Sequence, residues 1–214
     1  MKRKSNFKLL AAVVVVLSLS ACTKNALKNL SDDDSRIYIT TYDSTVNFSN
    51  FKTYSISDSV AIIDGGKLQK KSISETDSAL ISAVKANMQQ RGYQLVSNDS
   101  HPDLGVSVSK VISTETGVLS YPSYWGYYNS YWDPYYWGYG GYDYYFPYAS
   151  YAVYEIREGA LSVDIVDLKD AATNKKIDGI WNGLIRGEAI FTTTNAATQI
   201  KTLFDQSPYL TSVD

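Results

Sequence analysis

One cysteine and one histidine occur in 214 residues. A single cysteine closes no intrachain disulfide, whatever the redox compartment. His101, just ahead of Pro102, has no second histidine or nearby cysteine to share a metal with, so a zinc site lacks its ligand set. It reads as an exposed loop residue. No phosphate-cradling glycine loop and no nucleophile elbow occur, and nothing calls for a cofactor. Positive charge is scarce and unevenly placed: of 20 Lys and Arg, four (Lys2, Arg3, Lys4 and Lys8) lie in the first eight residues. The remaining 16 face 22 Asp and Glu, a balance of about −6 that disfavours nucleic acid and anionic lipid surfaces as partners.

The early positives belong to a pattern. They precede an apolar run from Leu9 to Leu19, and Ser20 and Ala21 are the small residues expected ahead of a cleavage site. That run is shorter than the roughly 20 apolar residues a helix needs to cross a bilayer. Residues 1–21 therefore read as a signal peptide. The tetrapeptide Leu19-Ser20-Ala21-Cys22 resembles the lipobox of bacterial lipoproteins, in which lipid is added to the cysteine and cleavage follows just before it. The resemblance implies acylation of Cys22 and attachment to a membrane through that lipid; two or more acyl chains hold stably where one does not. Thr23 rather than Asp after the cysteine, by resemblance to enterobacterial sorting, permits export to the outer membrane, the expected location, on its periplasmic face or at the cell surface. Residues 22–35, including Ser31-Asp32-Asp33-Asp34, are polar and read as a solvated tether.

From Arg36 the patterning is that of one folded domain, residues 36–214. Ile37–Tyr42 is β-branched and aromatic, a strand, and Phe51–Ile56 is a second. Asp64-Gly65-Gly66 marks a turn. A helix is expected from about Ser74 to Arg91. Ser72 with Glu75 fits a capping box, as does Ser74 with Asp77. Leu80, Val84 and Met88 form its apolar stripe, and Gly92 its stop. Tyr93–Val96, Asp103–Ser113, the alternating run around Leu161, Val163 and Ile165, and Lys176–Arg186 read as strands. Ala196, Ile200, Leu203 and Phe204 mark a closing helix. The expected fold is α+β: a largely antiparallel sheet with helices packed on one face and a long Tyr/Trp/Gly-rich loop inserted between two strands.

Asp43 followed by Val46-Asn47-Phe48-Ser49-Asn50-Phe51-Lys52-Thr53-Tyr54 resembles the opening of a lipoprotein family known as domain of unknown function 4136, with members in Bacteroidetes. Arg91-Gly92-Tyr93, Pro102-Asp103-Leu104, the strand Gly159–Leu168 and Trp181-Asn182-Gly183 continue the resemblance in order across residues 36–207. It implies an envelope lipoprotein and transfers no catalytic residue. Asp43-Ser44-Thr45, Asp58-Ser59-Val60 and Asp77-Ser78-Ala79 resemble the O-glycosylation triplet of Bacteroidetes.

The insert, residues 121–154, holds 14 of the 19 tyrosines, three of the four tryptophans, four glycines and three of the five prolines. Such punctuation stops regular helix or strand, and a loop this long inside a compact domain usually binds something or is disordered. Tyr124, Trp125, Tyr128, Trp132, Tyr136, Trp137 and Tyr144 are the candidate binding residues, since aromatic faces attract sugar C–H groups, cations and other rings. The segment has no Lys or Arg to neutralise phosphate, which argues against nucleic acid. An envelope glycan, a protein partner, the membrane interface, or self-association through the tyrosines fit the composition. No catalytic constellation stands out. Asp164, Asp167 and Asp170 are spaced by three, so the first two point to opposite sides of a regular strand and read as solvated. The expectation is a non-enzymatic binding or structural module that turns its aromatic loop toward a glycan or protein. The alternative is a hydrolase or transferase acting on cell-wall glycan, with Glu155 or Glu158 beside an aromatic sugar platform.

Overall fold

The structure, a computed structural model, describes residues 35–64, 67–112, 118–119, 136–145, 154–155 and 159–213. Cys22, the tether and most of the aromatic insert lie outside these residues. Among the described residues no helix is long and apolar enough to cross a membrane.

In chain order the elements are β1 (Ile37–Tyr42), β2 (Thr53–Ile56), β3 (Val60–Asp64), β4 (Lys67–Ser72), α1 (Glu75–Gln90), β5 (Gln94–Leu95), β6 (Leu104–Ile112), β7 (Val118–Leu119), β8 (Asp143–Tyr145), β9 (Tyr154–Glu155), β10 (Ala160–Asp167), α2 (Ala171–Asn174), β11 (Lys176–Arg186) and α3 (Thr193–Asp205). Nine strands form one sheet, ordered β1-β11-β10-β6-β2-β5. β3 lies beside β6 next to β2, β4 lies beyond β3, and β8 pairs with the start of β11. β7 and β9 form a separate antiparallel pair.

The expected largely antiparallel sheet is corrected by this topology. β1, β11, β10 and β6 are antiparallel, but β2 and β3 both run parallel to β6, β5 parallel to β2, and β8 parallel to β11. Parallel neighbours need a crossover of a dozen or more residues. α1 supplies it, carrying the chain from the β3–β4 hairpin back so that β6 runs in the same direction as β2 and β3. That hairpin was not among the expected elements. Its first strand, Val60-Ala61-Ile62-Ile63, is buried on both sides and shows no polar alternation.

α1 and α3 cover one face of the sheet. Leu80, Val84 and Met88 from α1 and Ile200, Leu203 and Phe204 from α3 are fully buried with Tyr54, Val106, Val163 and Trp181 of the strands. Each such side chain is worth roughly 1.5–3 kcal/mol over its exposed state. α1 begins on the second of the two capping pairs: Asp77 N–H donates to the Ser74 Oγ, and the Ser74 N–H donates to Asp77 Oδ2 at 2.8 Å. Arg91 does more than favour its own helix's C-terminus. Its guanidinium donates to the carbonyls of Phe204, Ser207 (2.8 Å) and Leu210 (3.1 Å), closing the end of α3 as well. Gly92 follows at φ +86°, where an added Cβ would lie 2.5 Å from the Ser212 hydroxyl.

Candidate functional site

The other face of the sheet has its own core: Ala61, Ile63, Val111, Ala160, Val166, Leu168, Ala171, Ile177 and Leu184, with Trp137 from the insert. Small residues make room for it. Gly105 of β6 lies under the indole, and a Cβ there would come within 3.0 Å of Trp137 Cε2 and 2.9 Å of a Val166 methyl. Trp137 is 6% exposed. It is a core residue.

The residues around Trp137 tie the insert down. Asn98 Nδ2 donates to the Tyr136 carbonyl at 2.7 Å, and the Tyr136 hydroxyl donates to the Ile56 carbonyl at 3.1 Å. Tyr136, Tyr139 and Tyr144 pack half-buried against the same cluster. Burial raises the Tyr136 pKa, and nearby Asp58 adds to that. Tyr145 is half exposed, with the Lys176 ammonium 4.0 Å from its ring centre, and Lys175 stands 4.9 Å from the ring of Tyr142. Of the seven candidate binding residues, Tyr136, Trp137 and Tyr144 thus come together on the sheet. Tyr124, Trp125, Tyr128 and Trp132 lie outside the described residues, as does Glu158. Glu155 pairs through its backbone with Val118.

Along β6, β10 and β11 runs a buried polar stripe that the sequence reading missed. Asp164 of β10 lies opposite Ser107 of β6 and Asn182 of β11, and Ser162 lies opposite Ser109. All five are at least nine-tenths buried. The Ser162 hydroxyl donates to Asp164 Oδ2 at 2.9 Å. Asn182 Nδ2 donates to the Ser162 Oγ at 2.8 Å and, in a short contact, to Asp164 Oδ1. The Ser107 and Ser109 hydroxyls have no hydrogen-bond partner among the described residues. Asp164 was expected to be solvated; it is 1% exposed. Burial pushes its pKa well above the ordinary carboxylate value, and the hydrogen bonds from Asn182 and Ser162 offset this only in part. The carboxyl is therefore held toward its neutral form. A cavity of about 20 Å³ adjoins the stripe, lined by Ser57, Ser59, Lys71, Ser107, Tyr136 and Trp137, with room for a single water-sized group.

The signal for the stripe was side-chain size. A solvated strand face carries Lys, Glu or Thr, whereas β6 offers Gly105, Ser107 and Ser109 there, which suits close packing. Among the described residues no group of His, Cys, Asp and Glu is arranged to hold a metal. His101 is exposed, in the left-handed region at φ 52°.

The family model for a domain of unknown function (DUF4136) matches residues 39–209. The chain belongs to the DUF4136 family. A crystal structure of a DUF4136 protein from Bacteroides thetaiotaomicron is 32% identical, covering 85% of this chain and 100% of that one, with a TM-score of 0.70. A PDZ domain protein from Parabacteroides distasonis is 15% identical over 82% of this chain and 36% of its own, with a TM-score of 0.43. The PelC dodecamer from Paraburkholderia phytofirmans is 7% identical over 83% and 99%, with a TM-score of 0.38. At these values the last two bear on neither fold nor function. No curated protein matches the chain.

Proposed function

We propose that this DUF4136 protein is an envelope lipoprotein, cut before Cys22 and held by lipid on that cysteine at the outer membrane. Its domain works as a non-enzymatic binding module that offers the aromatic insert to an envelope glycan or protein. The observation that carries the reading is the mooring of the insert. Trp137 is sunk over Gly105 and flanked by half-buried Tyr136 and Tyr144, so the segment is fastened to the rigid sheet at its middle. A fixed aromatic segment loses less conformational freedom on binding than a free one.

The mooring dictates the test. Deleting residues 121–154 would remove part of the core, so Tyr124, Trp125, Tyr128 and Trp132 are replaced together by serine, leaving residues 136–145 intact. Isolated cell wall and detergent-solubilised envelope are each offered both proteins. Retention of the unaltered chain and its loss in the fourfold variant support the reading; equal retention of the two would refute it.

A further inference from the structure

β1 pairs with β11 along one side, and among the described residues no strand pairs with its other side. Open edges of native sheets usually carry protection: extreme shortness, lysines, a proline or a bulge. The opposite margin of this sheet has such devices. β5 is two residues long, and β4 carries lysines at 67, 70 and 71. β1 has none of them. It is six residues in unbroken register with β11, reading Ile-Tyr-Ile-Thr-Thr-Tyr, without charge, proline or glycine. Its end residues stay partly exposed, Ile37 44% and Tyr42 39%, the latter with its ring stacked on Tyr209.

We propose that β1 is an interface between two copies of this chain, joined antiparallel, β1 to β1, about a two-fold axis. A strand edge supplies main-chain hydrogen bonds to any extended partner, and a second copy brings the same edge in the same conformation without a folding cost. Antiparallel pairing also suits the ends. The charges that flank the strand are engaged within their own chain, Arg36 by the Glu188 and Ala189 carbonyls and Asp43 by Thr45, so no like charges are pressed together across the axis. With Ile39 opposite its own copy on the two-fold, Ile37 of one chain meets Thr41 of the other on one face, and Tyr38 meets Thr40 on the other. The antiparallel run β6-β10-β11-β1 then continues through the axis into the second molecule.

Sedimentation of the full chain in mild detergent tests this. The mass is expected to double from one chain to two as concentration rises. The Ile37→Lys/Thr41→Lys variant sets lysine against lysine across the axis and stays at one-chain mass, and Ile37→Glu/Thr41→Glu does the same. Mixing the two variants restores the doubled mass, which misfolded chains would not do. One-chain mass for the unaltered protein at every concentration would assign the edge to a different partner and overturn the proposal. Doubled mass in the lysine variant, or a mixture that stays monomeric, would overturn it equally.

Discussion

Two buried carboxyls respond to pH in opposite senses. Asp164 has its folded-state pKa raised, so the stability it contributes is fully present below its unfolded value of about 3.9 and is lost as pH rises through the folded value. Asp164→Asn keeps the shape and removes the titration. Its stability relative to the unaltered chain should climb as pH rises above about 4, as read by urea unfolding. An Asn variant that tracks the parent at every pH would discard this account. Asp164→Ala leaves Asn182 and Ser162 without their acceptor and should cost about 1–3 kcal/mol. For Asp77, on the helical face, burial pushes the pKa up, but the Lys110 ammonium and the N–H and hydroxyl of Ser74 outweigh it and bring it to about 2. Its contribution is present above about 3.9 and disappears as pH falls toward 2. Lys110→Met strands a buried charge and should lower stability by about 3–5 kcal/mol, while adding Asp77→Asn should restore part of that loss. Denaturant midpoints of the single and double variants decide it.

Among the elements, α1 and β6 are the most informative to perturb. Ser74→Ala removes half of the capping box and should cost about 1 kcal/mol in thermal or denaturant unfolding. Gly105→Val drives a branched side chain into Trp137 and Val166, and overpacking of this kind should cost about 1–3 kcal/mol. A red shift in tryptophan emission should accompany it as the indole is pushed toward water; unchanged emission would show that the ring can adjust in place. These elements also show what was legible beforehand. β1 was readable to the residue because its β-branched and aromatic run ends abruptly at Arg36 and Asp43. α1 was readable from its stripe and its glycine stop. β3 was missed because a strand buried on both faces loses the alternation that marks a strand. The polar face of β10 was read as wet for the converse reason: Ser162 and Asp164 alternate with Leu161, Val163 and Ile165 as a solvated strand would, and only the placement of Trp137 reveals a second cover.

For the molecule as a whole, the proposed anchor makes a separable prediction. Cys22→Ser should abolish lipid attachment, read as loss of the acyl mass, and should move the chain from the membrane fraction to the soluble one. The folded domain should keep the same unfolding midpoint, since Cys22 precedes it. Of the candidate site, sequence composition pointed to the insert but could not separate its roles, because tyrosine and tryptophan serve core and surface equally well. Trp137 turned out to be a mooring. The proposed attachment through the N-terminal side also has a mechanical consequence. Any tension reaching Arg36 passes first into β1, held in the sheet only by β11 among the described residues, with Ile37 beside Arg186 and Tyr42 beside Trp181. A sideways pull loads the Ile37 end alone and peels the rungs in turn, whereas a pull along the strand must shear all six residue pairs at once and drag Tyr42 off its stack with Tyr209. The same junction is compliant in one direction and stiff in the other, so the angle of pull sets how much force the domain withstands.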